Sequence, residues 1–294
     1  MKKEEKEEKC SCPSCGENGG DCSSGCGSGG SAQGGAAKAG IEKLPENDNS
    51  RIRNVIAVMS GKGGVGKSSV TSLLASGFRK RGYRVGILDA DITGPSVPRM
   101  FGVKGPARSN EICIFPLESA GGIKIMSLNL LMPVEDDPVI WRGPIIAGAV
   151  KQFWTDVAWG DLDYLFVDLP PGTGDVPLTV MQSLPLNGIV VVSSPQDIAV
   201  MIVKKAVKMA MQMNVPILGL IENMSGVICP HCGEEFPLFG SGGSEEISRS
   251  FNIPFLGKLP LDPHLSELCD RGKIEDYQSD LFMNTIPGKF IMQQ

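Results

Sequence analysis

The stretch Gly61-Lys-Gly-Gly-Val-Gly-Lys67-Ser68 decides how the rest of the chain is read. It follows a short apolar run, Val55-Ile-Ala-Val58, and leads into a helical pattern from about Lys67 to Arg81, closed by Gly82. A strand, a glycine-rich loop and a helix in that order match the phosphate-loop pattern G-x-x-x-x-G-K-[ST]. Each part has a physical reason. Glycines let the backbone curl so that its N–H groups converge on phosphate oxygens. The start of the helix adds partial positive charge. Lys67 reaches the terminal phosphates, and Ser68 offers a hydroxyl to magnesium. The cradle expected to hold ATP runs over Gly61, Lys62, Gly63, Gly64, Val65, Gly66, Lys67, Ser68 and Ser69.

Outward from this loop, continuous apolar runs alternate with helical patterns. Strands are expected at Arg84–Leu88, Lys124–Met126, Tyr164–Val167, Ile189–Val192, Ile217–Ile221 and Phe255–Gly257, and a helix at Ala199–Met213. Runs of this kind indicate an α/β fold: a doubly wound, mostly parallel sheet with helices on both faces. Ligands in such sheets bind beyond the carboxyl ends of the strands. Two acidic motifs fall at such ends. Asp89-Ala-Asp91 closes the second strand, where carboxylates suit magnesium and water positioning. Asp168 closes the Tyr164–Val167 strand, suits indirect magnesium binding, and opens Asp168-Leu-Pro-Pro-Gly-Thr-Gly-Asp175. Gly172 and Gly174 leave that loop able to move with a γ-phosphate.

Composition narrows the class. The 294 residues are 41% hydrophobic and 21% charged, ordinary for a globular protein, and the net charge of −5 gives no reason to expect nucleic acid or an anionic membrane as partner. The longest apolar runs are strand-sized. The charged start, Met1 to Lys9, does not read as a secretory signal, so a cytoplasmic location is expected. Residues 1–50 are rich in Gly, Ser, Lys, Glu and Cys, and the first aromatic of the chain is Phe78. They read as a flexible tail before a P-loop domain over 51–294. Of nine cysteines, Cys10, Cys12, Cys15, Cys22 and Cys26 lie in this tail. Cys113 and Cys269 read as small buried hydrophobes, and the methionines Met201, Met209, Met211 and Met213 as core packing.

The remaining two, Cys229 and Cys232, form the knuckle Cys229-Pro-His-Cys232-Gly233 within a segment near 225–240. Thiolates are soft ligands for zinc or iron, and two do not complete a four-coordinate site. A two-fold dimer would bring two more. His231 is expected to point away, because the turn that aligns the sulfurs splays the residues between them.

Several strings carry a resemblance to a known family. Lys62 resembles the signature lysine of deviant Walker P-loop ATPases, which implies that it contacts the phosphates of a partner subunit in a nucleotide-sandwich dimer. GKGGVGKS, DADITGPSVPRMFG, WRGP (Trp141–Pro144), DLPPGTGD, SPQD (Ser194–Asp197) and ENMSGVICPHCG occur in the order of the Mrp/ApbC family of ATP-dependent iron–sulfur cluster carriers, over about Arg53 to Asp276. The resemblance implies a homodimer bridging a 4Fe-4S cluster through Cys229 and Cys232 of each copy. It also implies slow ATP hydrolysis and delivery to apo iron–sulfur acceptor proteins. It assigns Asp91 to water activation beside Lys62 and Lys67, Asp89 to supporting magnesium, Asn223 to the adenine, and Pro260 to lining the base. The tail departs from the family's cysteine spacing, and a second cluster there, zinc or no metal all stay open.

Three rivals share parts of this pattern. A ParA/MinD-type positioning ATPase shares the loop but leaves the knuckle unexplained, and residues 273–294 are short and mixed in charge rather than amphipathic. A zinc-stabilised regulatory ATPase would use the knuckle structurally. A reductase resembling the nitrogenase iron protein would need ATP-driven electron transfer to a partner.

Overall fold

The structure is a computed structural model, and it describes residues 43–91, 94, 96–131, 143–229, 231–240 and 243–291. The five N-terminal cysteines and Trp141 and Arg142 lie outside the described residues. In chain order the elements are β1 (Ser50–Ser60), α1 (Lys67–Lys80), β2 (Val85–Asp89), α2 (Val97–Met100), β3 (Arg108–Ser109), β4 (Ile114–Phe115), β5 (Leu117–Glu118), β6 (Lys124–Ser127) and α3 (Gly143–Thr155). They continue with β7 (Gly160–Asp168), α4 (Asp175–Ser183), β8 (Gly188–Ser193), α5 (Asp197–Gln212), β9 (Ile217–Ile228), β10 (Glu235–Phe236), α6 (Ser244–Phe251), β11 (Phe255–Leu261), α7 (Pro263–Asp270) and α8 (Ile286–Ile291).

The main sheet runs β10-β9-β8-β1-β7-β2-β6-β5, and β11 pairs with β9. Its pairings are parallel except β10 on β9 and β5 on β6. This is the doubly wound sheet expected from the sequence. Its faces can be read residue by residue in β1. Val55, Ala57 and Met59 pack on one side, with Phe153 and Trp154 of α3, Val180 of α4 and Ala206 of α5. Ile56 and Val58 pack on the other, with Val70, Leu74 and Phe78 of α1. Both faces are covered, so the central strands need apolar residues at every position, which is why they read as unbroken runs. Phe78 sits edge-on to Tyr164 and Phe166 at 4.6 and 5.4 Å between ring centroids.

Three expectations need correction. Residues 43–50 read as tail by composition, yet they are tied to the core. Leu44 N–H donates to Ser183 O (2.9 Å), and the Trp154 indole donates to Leu44 O (3.1 Å). Asn47 Nδ2 donates to Thr155 O (2.7 Å), and Ser50 begins β1. A short segment needs only a few good partners to dock, and composition does not show them. The methionines of α5 divide: Met209 and Met213 pack against the core, while Met201 and Met211 are exposed. Helical spacing places two of them on the solvent side. Cys113 is buried as expected, but Cys269 is only half-buried.

β9 departs from regular geometry at one place. It pairs with β11 at Asn223↔Leu259 and again at Val227↔Leu261, so residues 224–226 face Pro260 alone. Within this bulge Met224 has φ 59°, in the left-handed region. That conformation costs a residue bearing a Cβ about 1–2 kcal/mol. Proline has no N–H to give the neighbouring strand, so it suits the position opposite a bulge.

The ties of residues 43–50 yield a test. Chains spanning 43–294 and 51–294 are expected to differ in thermal unfolding. The shorter chain loses several hydrogen bonds, at about 1 kcal/mol each, and the burial of Leu44, about 1–2 kcal/mol. Its Tm should fall by roughly 10 °C, at about 2–4 °C per kcal/mol for a domain of this size. Equal melting curves by circular dichroism would show that these residues do not belong to the core.

Candidate functional site

Parallel register brings the motif residues together at one sheet edge. Val58 of β1 pairs with Asp168 of β7, and Asp168 pairs with Asp89 of β2. The loop leaving β1 therefore starts beside two buried carboxylates. Gly64 and Gly66 have φ 78° and 73°, so the turn into α1 is left-handed at both. A Cβ on Gly66 would also lie 2.2 Å from Asn223 Nδ2. Glycine is required there on both counts. The loop is braced from outside: Ser60 Oγ donates to Lys62 O (2.9 Å), Gly172 N–H to Ser60 O (2.9 Å), and Asn223 Nδ2 to Val65 O (2.8 Å).

Lys67 is buried, and its Nζ lies 2.7 Å from Asp168 Oδ1 and 3.7 Å from Asp91 Oδ2. Thr71, one turn along α1, donates to the same Asp168 oxygen at 2.9 Å. Asp168 Oδ2 is buried with no hydrogen-bond partner among the described residues. Asp89 is buried as well, and receives Asp91 N–H (3.1 Å) and the Ser127 hydroxyl (3.3 Å). Burial, and then the neighbouring Asp168, push the Asp89 carboxyl well above the usual carboxylate range. An unpartnered buried carboxylate oxygen, a second carboxylate held against its preference to ionise, and the Ser68 hydroxyl are hard oxygen donors. They fit a magnesium ion.

Two adjoining clefts flank the loop. One, of about 210 Å³, is lined by the loop from Lys62 to Ser69 and by Ser60, Asp91, Ser96, Met100 and Pro171. The other, of about 250 Å³, shares Gly66 and Ser69 with it and continues over Asn223, Met224, Pro260, Asp262, Leu265 and Cys269. Together they offer a polar trough for phosphates and a partly apolar chamber for a base. The expected residues Asn223 and Pro260 line the chamber. Met224 and Cys269 line it too, and neither was singled out for this from sequence. The Lys62 ammonium donates to Gln196 Oε1, just before α5. Gln196 lies within the SPQD string, which gave no hint of this contact, and neither Thr71 nor Ser127 carries a motif signal.

The knuckle follows directly on β9 and lies at the turn between β9 and β10. β10 pairs through Glu235↔Ile228 and Phe236↔Val227, Cys229 N–H donates to Glu234 O (2.9 Å), and Gly233 N–H to Cys229 O (2.8 Å). Gly233 has φ 75°, which lets the turn close. Cys229 is half-buried and Cys232 exposed. The backbone N–H of Cys232, then that of His231, then the Cys232 thiol lower the Cys229 thiol below its ordinary value, which favours the thiolate that binds metal. The knuckle contributes two sulfurs, and among the described residues no group of three or more His, Cys, Asp or Glu is arranged to hold a metal. Ile228, Phe236, Leu238 and Phe239, all on or next to this hairpin, expose apolar surface.

Comparison with known proteins gives the chain's family. A family model described as ParA: NUBPL iron-transfer P-loop NTPase matches residues 51–286. The iron-sulfur cluster carrier protein of Clostridium perfringens is 46% identical over 278 residues, covering 92% of this chain and 95% of that protein. A solved nucleotide-binding protein in complex with ADP, from Archaeoglobus fulgidus, superposes with a TM-score of 0.71 at 46% identity, over 80% of this chain and 92% of its own. The MinC:MinD cell division complex of Aquifex aeolicus matches with a TM-score of 0.58 at 19% identity, over 82% of this chain and 96% of that one, a likeness of fold alone. With the family match running through most of the sequence, this chain belongs to the ParA-type NUBPL iron-transfer P-loop NTPases.

Proposed function

We propose that the protein is an ATP-dependent iron–sulfur cluster carrier. It works as a homodimer, holds a 4Fe-4S cluster as cargo between Cys229 and Cys232 of both copies, and passes it to apo-proteins with slow ATP hydrolysis. The observation that carries this reading is the half-site: two sulfurs at a sheet edge, with no third ligand among the described residues. The names of the relatives support the choice of cargo. The reading puts the protein in the cytoplasm, where thiols stay reduced.

In this reading Lys67 leaves Asp168 for the β- and γ-phosphates, and the loop N–H groups hold their oxygens. Ser68, with Asp89 and Asp168 directly or through water, would hold magnesium, which would supply positive charge beside the phosphate chain. Asp91, at the cleft lining, takes the proton of the attacking water. Lys62 reaches the phosphates of the partner copy, where it stabilises charge that grows in the transition state. Asn223 and Pro260 hold the base. The net charge of −5 gives this reading no reason to include nucleic acid or an anionic membrane as partner.

Two experiments test the reading. Lys67→Ala should abolish nucleotide binding or turnover. Lys62→Ala should keep binding near the parent level and lower turnover by roughly a hundredfold or more, as loss of one transition-state contact does. Undiminished hydrolysis by the Lys62 variant in a phosphate-release assay would sink the sandwich dimer.

The second compares the full chain, purified without oxygen, with its Cys229→Ser, Cys232→Ser double variant. The difference isolates the knuckle from whatever the N-terminal cysteines hold. About four irons per dimer should be lost, with matching sulfide, from the stoichiometry of a cubane cluster. Nucleotide binding should persist. Loss of one zinc per chain instead, or no loss of metal, would refute the carrier reading.

A further inference from the structure

We propose that residues 223–226 of β9 couple occupancy of the nucleotide site to the cysteine knuckle within a single chain, with Met224 as the positioning residue. The proposal rests on the reading that nucleotide occupies the loop and base chamber and that metal occupies the knuckle.

Four observations converge on this segment. First, one strand serves both sites: β9 runs from Ile217 to Ile228, carries Asn223 against the phosphate loop, and delivers Cys229 directly after its last residue. Second, the strand is irregular between them, with residues 224–226 facing only Pro260 and Met224 in the left-handed region. A bulge re-aims the strand beyond it, and a side chain held at positive φ persists only where its surroundings impose it. Third, the imposing surroundings belong to the nucleotide site. Met224 lines the base chamber, and its Cε lies 3.6 Å from the place a Cβ on Gly66 would occupy. Pro260, opposite the bulge, lines the same chamber.

Fourth, everything beyond the bulge is fastened to the knuckle's hairpin. Ser225 Oγ donates to Glu235 Oε1 at 3.3 Å. Gly226 passes so close to β10 that a Cβ there would lie 2.8 Å from Phe236 O. Val227 and Ile228 then pair with Phe236 and Glu235. A shift of Met224 when a base enters the chamber is therefore not absorbed by a loose loop. It is passed through Ser225 and Gly226 to the hairpin that sets the direction of the Cys229 and Cys232 sulfurs. A purely structural bulge would have no reason to put its strained residue into the wall of a ligand cavity.

The test uses the full chain, reduced and freed of metal, with Mg-ADP as the probe. ADP fills the base chamber but lacks the γ-phosphate that Lys62 of a second copy would engage, so it reports coupling within one chain. Iodoacetamide alkylation resolved by peptide mass spectrometry reads Cys229 apart from the other thiols. Saturating Mg-ADP should change the Cys229 alkylation rate in the parent by about fivefold, the low end of measured couplings between sites. In Met224→Gly and Met224→Asn, both compatible with positive φ and both too short to fill the chamber wall, the ratio should fall to about one. Binding of a fluorescent ADP analogue is titrated for each variant, and the alkylation ratio is read at saturating Mg-ADP for that variant, so that a weaker fit to the altered chamber wall does not enter the ratio. Met224→Leu, which keeps an apolar side chain of similar length, should retain most of the response. If ADP binds but leaves Cys229 unchanged in the parent, or if the short variants respond as the parent does, the coupling proposal falls and the carrier reading stands. If the parent does not bind ADP, both fall.

Discussion

The nucleotide site depends on one buried contact, Lys67 Nζ to Asp168 Oδ1 at 2.7 Å. The contact offsets a cost of burial, because desolvating an isolated ammonium or carboxylate costs on the order of several kcal/mol. The parallel register of β1, β7 and β2 makes the contact possible, since it sets the strand-end carboxylates side by side next to the loop. The arrangement is left incomplete on one side. Asp168 Oδ1 takes both Lys67 and Thr71, while Oδ2 takes no partner among the described residues. Asp89 next to it is held against its preference to ionise. In the proposed function both tensions would be met together: Lys67 would turn to the phosphates, and Asp168 and Asp89 would face the cation that accompanies them.

What was legible in the sequence is what short-range chemistry dictates. The glycines of the loop answer to positive φ and close approach, and they sit where the pattern put them. The central strands were visible because both faces of the sheet are covered. Asp89 and Asp168 were visible because they end apolar runs. The knuckle was visible because two sulfurs three positions apart can face one ion.

The rest depends on contacts between distant segments. Gln196 meets Lys62 across 134 positions, and nothing local marks it. Residues 43–50 look like tail until Trp154 and Ser183 are seen to bond them. The exposure of Met201 and Met211 depends on which side of α5 meets the sheet, and helical spacing leaves that side unnamed. Met224 shows the limit most sharply. A left-handed methionine has no sequence signature, because glycine or asparagine would be the local choice, and only the strand pairing around it explains why it is there.

The position of the knuckle bears on how a carrier could let go of its cargo. A metal enclosed by four ligands of one chain is released only by unfolding part of that chain. Two sulfurs at the tip of an edge hairpin impose no such requirement: in the proposed dimer the other half of the coordination would lie in a separate body whose orientation can change. Ile228, Phe236, Leu238 and Phe239, on or next to the hairpin, expose apolar surface that would favour closure on a matching face. The hairpin is not free to wander, because Gly226 and Ser225 fix it to β9. Holding strength can then be set by the angle between two rigid halves rather than by ligand chemistry. An angle is the kind of quantity that a nucleotide at the other end of the same strand can alter.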